Sequence, residues 1–121
     1  MSEKPFSPKI HGLNDYAFVA ILFFAPPLLG FNKKAINLYR LSGLNLLIYN
    51  SLTDQPVALK PLISYETHHK LDLINVAGLA LATFYKGIRK EKRVLAFHTA
   101  FVVLAAINVV LTDWKAEPQQ P

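Results

Sequence analysis

The sequence predicts an all-α protein with four transmembrane helices, formed by two tandem helical hairpins. Hydrophobic residues make up 52% of the chain and charged residues only 17%, and the mean hydropathy is positive at +0.26. The charges are concentrated in tails and loops, and they separate four apolar segments. A bilayer core is crossed by about 20 apolar helical residues. Composition and charge placement together therefore favour a membrane protein.

The four apolar segments follow one another at residues 16–31, 35–52, 73–85 and 94–112. The second and fourth are long enough to span, and the first and third reach that length when extended back to Gly12 and Lys70. In segments one and four the apolar residues cover every helical face, whereas a soluble helix carries a polar stripe. The pattern favours spans over the alternative, a soluble helical bundle that binds a lipid or another hydrophobic ligand.

Basic residues predict the orientation of these spans. Both short loops between paired helices are basic, at residues 33–34 and 86–93, and Lys and Arg beside spans are retained in the cytoplasm. We therefore expect a multi-pass protein of the bacterial inner membrane, with these loops cytoplasmic and both termini outside. The net charge of +5 comes from basic residues that lie beside apolar stretches. This placement is typical of a protein that contacts a lipid bilayer rather than nucleic acid.

An internal repeat organises the chain. His11 and Asp15 open the first half with His-x-x-x-Asp, and His68 and Asp72 open the second half with the same spacing. Each half closes on Leu-Thr-Asp, at residues 52–54 and 111–113. We predict an N-terminal tail at 1–9, a four-helix domain at 10–114 and a disordered tail at 115–121, with the repeats at about 10–56 and about 67–114.

These motifs resemble the SPW-repeat family of small bacterial membrane proteins. The family's hairpin opens with His-x-x-x-Asp, ends its first helix with an Ala/Ser-Pro-Trp turn and places Thr-Asp after its second helix. The matching residues lie within 10–114 and are His11, Asp15, Ala25, Pro26, Thr53, Asp54, His68, Asp72, Thr112 and Asp113. Pro27 stands in place of the tryptophan, and the second copy has Ala82-Thr83-Phe84 without a proline. The resemblance implies a doubled hairpin with a pseudo-two-fold axis along the membrane normal, and no particular activity.

The predicted topology brings the ionisable residues of both repeats to one membrane face. Because residues four apart share a helix face, each His-x-x-x-Asp pair is within contact distance. Imidazole and carboxylate groups are ligands for zinc, iron, copper or manganese, and histidine also transfers protons. The candidate metal ligands are His11, Asp15, Asp54, His68, His69, Asp72 and Asp113.

Two functions remain open at this stage. The first is a non-enzymatic structural or interaction role, in which the protein packs with itself or with a membrane-protein partner. The second is a small metal-binding or proton-handling protein that uses the His/Asp residues. The chain has no cysteine, which excludes thiolate chemistry and zinc-thiolate sites. Nucleophile-elbow, phosphate-loop and His-Glu-x-x-His motifs are absent from the sequence, so an enzymatic role is not predicted.

Overall fold

The computed structural model describes residues 4–119, and every regular element within them is an α-helix. Four long helices, α1 (Pro8–Leu28), α2 (Lys33–Ser51), α3 (Tyr65–Ala82) and α5 (Lys92–Leu111), are accompanied by the single turn α4 (Lys86–Arg89). The predicted all-α class is confirmed for this part of the chain. No predicted element corresponds to α4, which lies within the basic loop of the second hairpin.

Helices α1 and α3 begin in the same way. The hydroxyl of Ser7 accepts a hydrogen bond from the amide of Ile10, and the hydroxyl of Ser64 accepts one from the amide of Thr67. Serine is a preferred N-cap because its oxygen satisfies an amide that has no partner within the helix. Each cap sets the register of the His-x-x-x-Asp motif that follows it, so the histidine lies in the first turn and the aspartate one turn later.

The end of α1 follows from its prolines. Pro26 and Pro27 lie in the last turn, where a proline removes an amide donor but still fits the end of a helix. The chain then reverses at Gly30, whose φ of 70° is accessible to glycine at little cost.

The apolar core lies toward the helix ends that carry the loops between paired helices. It consists of Leu22, Phe31, Ala35, Tyr39, Ile88, Val94 and Phe101. His98 on α5 forms hydrogen bonds to two other helices in this region. Its Nε2–H donates to the carbonyl of Leu79 on α3 (2.6 Å), so its Nδ1 accepts from the hydroxyl of Tyr39 on α2 (2.8 Å). His98 thus links α5 to α2 and α3.

The opposite end of the bundle is held by cross-connections between the repeats. Thr112, just after α5, forms an isolated bridge with Phe6, which lies before α1. Thr53, just after α2, forms the matching bridge with Ile63, which lies before α3. The end of each hairpin is therefore tied to the beginning of the other one, and both Thr-Asp motifs are brought beside the His-x-x-x-Asp motifs.

The structure contradicts the prediction of a multi-pass membrane protein. Among the described residues, α5 alone is long and apolar enough to cross a membrane by its length and composition. The other long helices contain too many charged or polar groups, including Lys9 and Asp15 in α1, Arg40 in α2 and Lys70 in α3. The apolar runs in these helices are real, but each is shorter than the helix that carries it. The predicted membrane orientation required four spans, so it is not supported either.

Large apolar side chains are nevertheless exposed on all four long helices. Leu28 is 84% exposed, and Leu41, Leu81 and Val110 are each exposed by more than 60%. Where such side chains form a contiguous patch, they mark a surface that contacts something else.

Candidate metal centre

Four ionisable side chains from the two repeats form a buried cluster. His11 and Asp15 come from α1, and His68 and Asp72 come from α3. Each is at most 5% exposed, and one ligand atom from each lies within 4.8 Å of the other three. The two predicted His-x-x-x-Asp pairs are therefore brought together inside the helix bundle.

The distances within this cluster, which we call the His/Asp cluster, are short and even. Nε2 of His11 lies 3.2 Å from Oδ2 of Asp15 and 2.9 Å from Oδ2 of Asp72. Nε2 of His68 lies 2.9 Å and 3.3 Å from the same two oxygens. The two Nε2 atoms are 3.3 Å apart. Each imidazole thus contacts both carboxylates, including the one from the other repeat.

Two threonines determine that Nδ1 of each cluster imidazole carries a proton. The hydroxyl of Thr53 donates to the carbonyl of Tyr49, and that of Thr112 donates to the carbonyl of Asn108. A hydroxyl has one proton to donate, so each threonine oxygen accepts from Nδ1–H of its histidine. These bonds are 2.7 Å long, from His68 to Thr53 and from His11 to Thr112. Both Nε2 atoms therefore face the centre of the cluster, either with a lone pair or with a second proton.

The outer carboxylate oxygens are also held. Oδ1 of Asp72 accepts from the hydroxyl of Tyr49 at 2.6 Å, and Oδ1 of Asp15 accepts from the amide of Asn108 at 3.2 Å. Tyr49 and Asn108 each precede a cluster threonine by four residues, so they occupy corresponding positions in the two repeats. These bonds direct one oxygen of each carboxylate outward and leave Oδ2 pointing to the centre.

Burial and ion pairing act in opposite directions on these groups. Burial alone would lower the pKa of His11, but the charges and hydrogen bonds of Asp15 and Asp72 outweigh it and raise the pKa to about 10. The same balance raises the pKa of His68. Burial would raise the pKa of Asp72, yet the hydrogen bonds from His11 and His68 bring it below its usual value. The cluster therefore favours positive charge at its centre.

An aromatic layer covers the outer side of the His/Asp cluster. The ring of Trp114 lies 4.7 Å from the ring of His11 and 6.0 Å from that of His68. The predicted candidate His69 stacks on the same indole at 4.2 Å between ring centroids. His69 thus takes part in the cover rather than in the cluster.

The two remaining candidates, Asp54 and Asp113, also lie outside the cluster. Asp54 accepts a hydrogen bond from the side chain of Gln119, and Asp113 accepts one from the amide of Lys115. In each Leu-Thr-Asp motif the threonine, rather than the aspartate, contacts a cluster histidine. The sequence indicated the motif, but only its aspartates were candidate ligands, because a carboxylate is a more usual metal ligand than a hydroxyl is.

A comparison of the chain with known proteins gives no match among protein-family models, curated proteins or solved structures. The resemblance to the SPW-repeat family therefore stays a prediction, and the function must be argued from the geometry of the cluster itself.

Proposed function

We propose that this protein binds one divalent transition-metal ion, with zinc as the first candidate, between His11, Asp15, His68 and Asp72. The observation that carries the proposal is the convergence of four acceptor atoms. When both imidazoles are neutral, with the proton on Nδ1, the cluster carries the two negative charges of its aspartates and presents two nitrogen lone pairs and two carboxylate oxygens to one point. Four such atoms repel one another unless a metal ion lies among them or the imidazoles take up a second proton.

The spacing of the ligand atoms supports this assignment. Tetrahedral zinc has bonds of about 2.0–2.1 Å to nitrogen and oxygen, which places its ligand atoms about 3.3 Å apart. The nitrogen–nitrogen and the four nitrogen–oxygen separations in the cluster run from 2.9 to 3.3 Å, and all four ligand atoms lie within 4.8 Å of one another. Imidazole and carboxylate also suit iron, copper and manganese, so the ligand set defines a class of metal rather than one element.

The surroundings of the cluster resemble those of known metal sites. Metal-binding histidines generally donate their second ring proton to a nearby acceptor, which orients the ring and increases its basicity. Thr53 and Thr112 are such acceptors here. The matching contacts of the two repeats also support the inference that the bundle is a doubled hairpin with a pseudo-two-fold axis through the cluster.

Calorimetric titration of Zn²⁺ into chelator-treated, purified protein tests the proposal. We expect saturable binding of one ion per chain, with no competition from Mg²⁺ because a hard cation prefers an all-oxygen site. A titration without saturable binding would reject the metal. The cluster would then be a buried ion-pair network of imidazolium and carboxylate groups, consistent with the structural role that the sequence also allows.

Substitution of the cluster threonines provides a second test. Thr53→Val keeps the shape of the side chain but removes the acceptor for Nδ1–H of His68, and we expect zinc affinity to fall about 10–100-fold. Thr112→Val removes the matching contact to His11 and should have a similar effect. Thr53→Ser keeps a hydroxyl at this position, so this variant should retain most of the zinc affinity. The control is Thr99→Val, because Thr99 is exposed and bonds only its own helix; equal losses in Thr53→Val and Thr99→Val would contradict the assigned role.

A second candidate function, association with a copy of itself or with another protein, is favoured by the exposed apolar side chains. Leu28, Leu41, Leu81 and Val110 lie on different long helices and are largely exposed. Covering such side chains stabilises a complex by about 25 cal/mol for each Å² removed from water. Sedimentation of the purified protein over a range of concentrations tests this role: we expect a dimer or larger assembly, and a monomer at every concentration would contradict self-association.

A further inference from the structure

A cavity lies directly beside the His/Asp cluster. It is enclosed by all four long helices, has a volume of about 50 Å³ and is partly open to the surface. Four of its lining residues, Asp15, Tyr49, Asp72 and Asn108, belong to the cluster or hold it in place. Most of the other walls are apolar, and they include Leu22, Leu46, Leu79 and Phe101.

The cavity meets the cluster on its carboxylate side. Asp15 and Asp72 line it, whereas neither imidazole does. On the opposite side the ring of Trp114 packs against both imidazoles. An ion held by the four ligand atoms is therefore shielded by an indole on one side and faces the cavity between two carboxylates on the other.

The cavity also has a route to solvent. Asn45 on α2 and Asn75 on α3 line it, and Nδ2 of Asn45 donates to Oδ1 of Asn75 at 2.9 Å in an exposed position. This amide pair spans the gap between the two helices. Since a buried water needs about 10–15 Å³ of such space, the cavity has room for a few waters or for one ligand of similar size.

We propose that the metal bound at this cluster keeps one coordination position directed into the cavity, occupied by an exchangeable water or another small, uncharged oxygen or nitrogen donor. This inference rests on the proposed metal binding. Two carboxylates neutralise a divalent cation, so an uncharged fifth ligand adds no net charge to a buried site. Zinc sites with an open position activate bound ligands, whereas sites closed by four protein ligands are structural. This cluster supplies four protein ligands, so it joins the open sites only by taking a fifth ligand, for which the adjacent cavity provides the space.

Co²⁺ is the probe for the test, since its visible absorption is weak with five ligands and strong with four in a tetrahedron. We expect the Co²⁺-loaded protein to show the weak, five-coordinate spectrum. Ala105→Leu places extra carbon atoms in the cavity, and we expect it to retain Co²⁺ while its absorption rises several-fold toward the tetrahedral spectrum. Ser42→Leu fills the same cavity from α2 and replaces Ala105→Leu in the test if that variant does not fold. Ala100→Leu, on the exposed face of α5, is the matched control and should leave the spectrum unchanged.

The outcomes separate the two proposals. If Co²⁺ does not bind, the metal function itself fails. If Co²⁺ binds with a tetrahedral spectrum in the unmodified protein and the cavity-filling variants leave it unchanged, the metal function stands and the open position is rejected. A weak spectrum that becomes tetrahedral only when the cavity is filled supports both.

Discussion

Replacing Asp15 and Asp72 by asparagine is expected to abolish metal binding while the helices remain folded. The amide keeps the shape of the side chain and can still accept the outer bonds from Asn108 and Tyr49. It removes both negative charges from the centre, where a divalent cation would otherwise be neutralised. Loss of groups that only orient metal ligands costs about 10–100-fold in affinity, so we expect the double substitution of ligands to cost at least about 100-fold. Titration with Zn²⁺ gives the affinity, and circular dichroism reports the helix content.

The chain supplies a matched control for this experiment. Asp54→Asn and Asp113→Asn remove the same number of carboxylates from the two Thr-Asp motifs, outside the cluster. We expect these changes to leave zinc affinity within about three-fold of the unmodified protein, because both carboxylates are partly exposed and lie outside the cluster, where solvent and salt screen their charges. Equal losses in both double variants would show that net charge, and not the cluster, governs binding.

Metal-free protein is expected to lose stability as the pH rises from about 6.5 to about 10. The pKa of His11 is about 10 in the folded chain and about 6.5 when unfolded. Below pH 6.5 the imidazole is protonated in both states, and its stabilising contribution is fully present. Between the two values only the folded state holds the proton, so stability falls by about 1.4 kcal/mol per pH unit from this group alone. His68 acts in the same direction because its pKa is also raised.

Urea denaturation at several pH values in the presence of a chelator measures this effect. His69 and His98 have lowered pKa values, so well above pH 6.5 they are neutral in both states and add no slope. The His11→Gln variant removes the titrating group and should flatten the dependence by about 1.4 kcal/mol per pH unit. A free energy of unfolding that is constant or rises between pH 6.5 and 9 would mean that the imidazoles are not stabilised as cations.

Four of the seven candidate ligands, the two His-x-x-x-Asp pairs, meet in the cluster, and the sequence could predict them because they rest on spacing within a helix. Residues four apart share a face, and the motif of His11 and Asp15 recurs in His68 and Asp72 after a matching serine cap. The recurrence indicated that the two pairs meet. The contacts of Thr53 and Thr112 were harder to predict, since they depend on how the end of each hairpin packs against the start of the other.

The prediction of a multi-pass membrane protein was wrong because it considered each apolar run apart from the polar groups on the same helix. The first segment is uncharged, but α1 begins a full two turns before it and carries His11 and Asp15 into the bundle. Those groups are buried against α3 rather than placed at a membrane edge. Pairing between repeats satisfies them, and such long-range pairing is not visible in the hydropathy of a single segment.

X-ray absorption spectroscopy of the zinc-loaded protein tests the central claim most directly. The proposed site predicts four or five nitrogen and oxygen neighbours at about 2.0–2.2 Å, with outer-shell scattering from two imidazole rings. His68→Ala should leave scattering from one ring, together with weaker binding. A spectrum without imidazole scattering, or one unchanged by His68→Ala, would show that zinc binds elsewhere and would contradict the assignment of the His/Asp cluster as a metal centre.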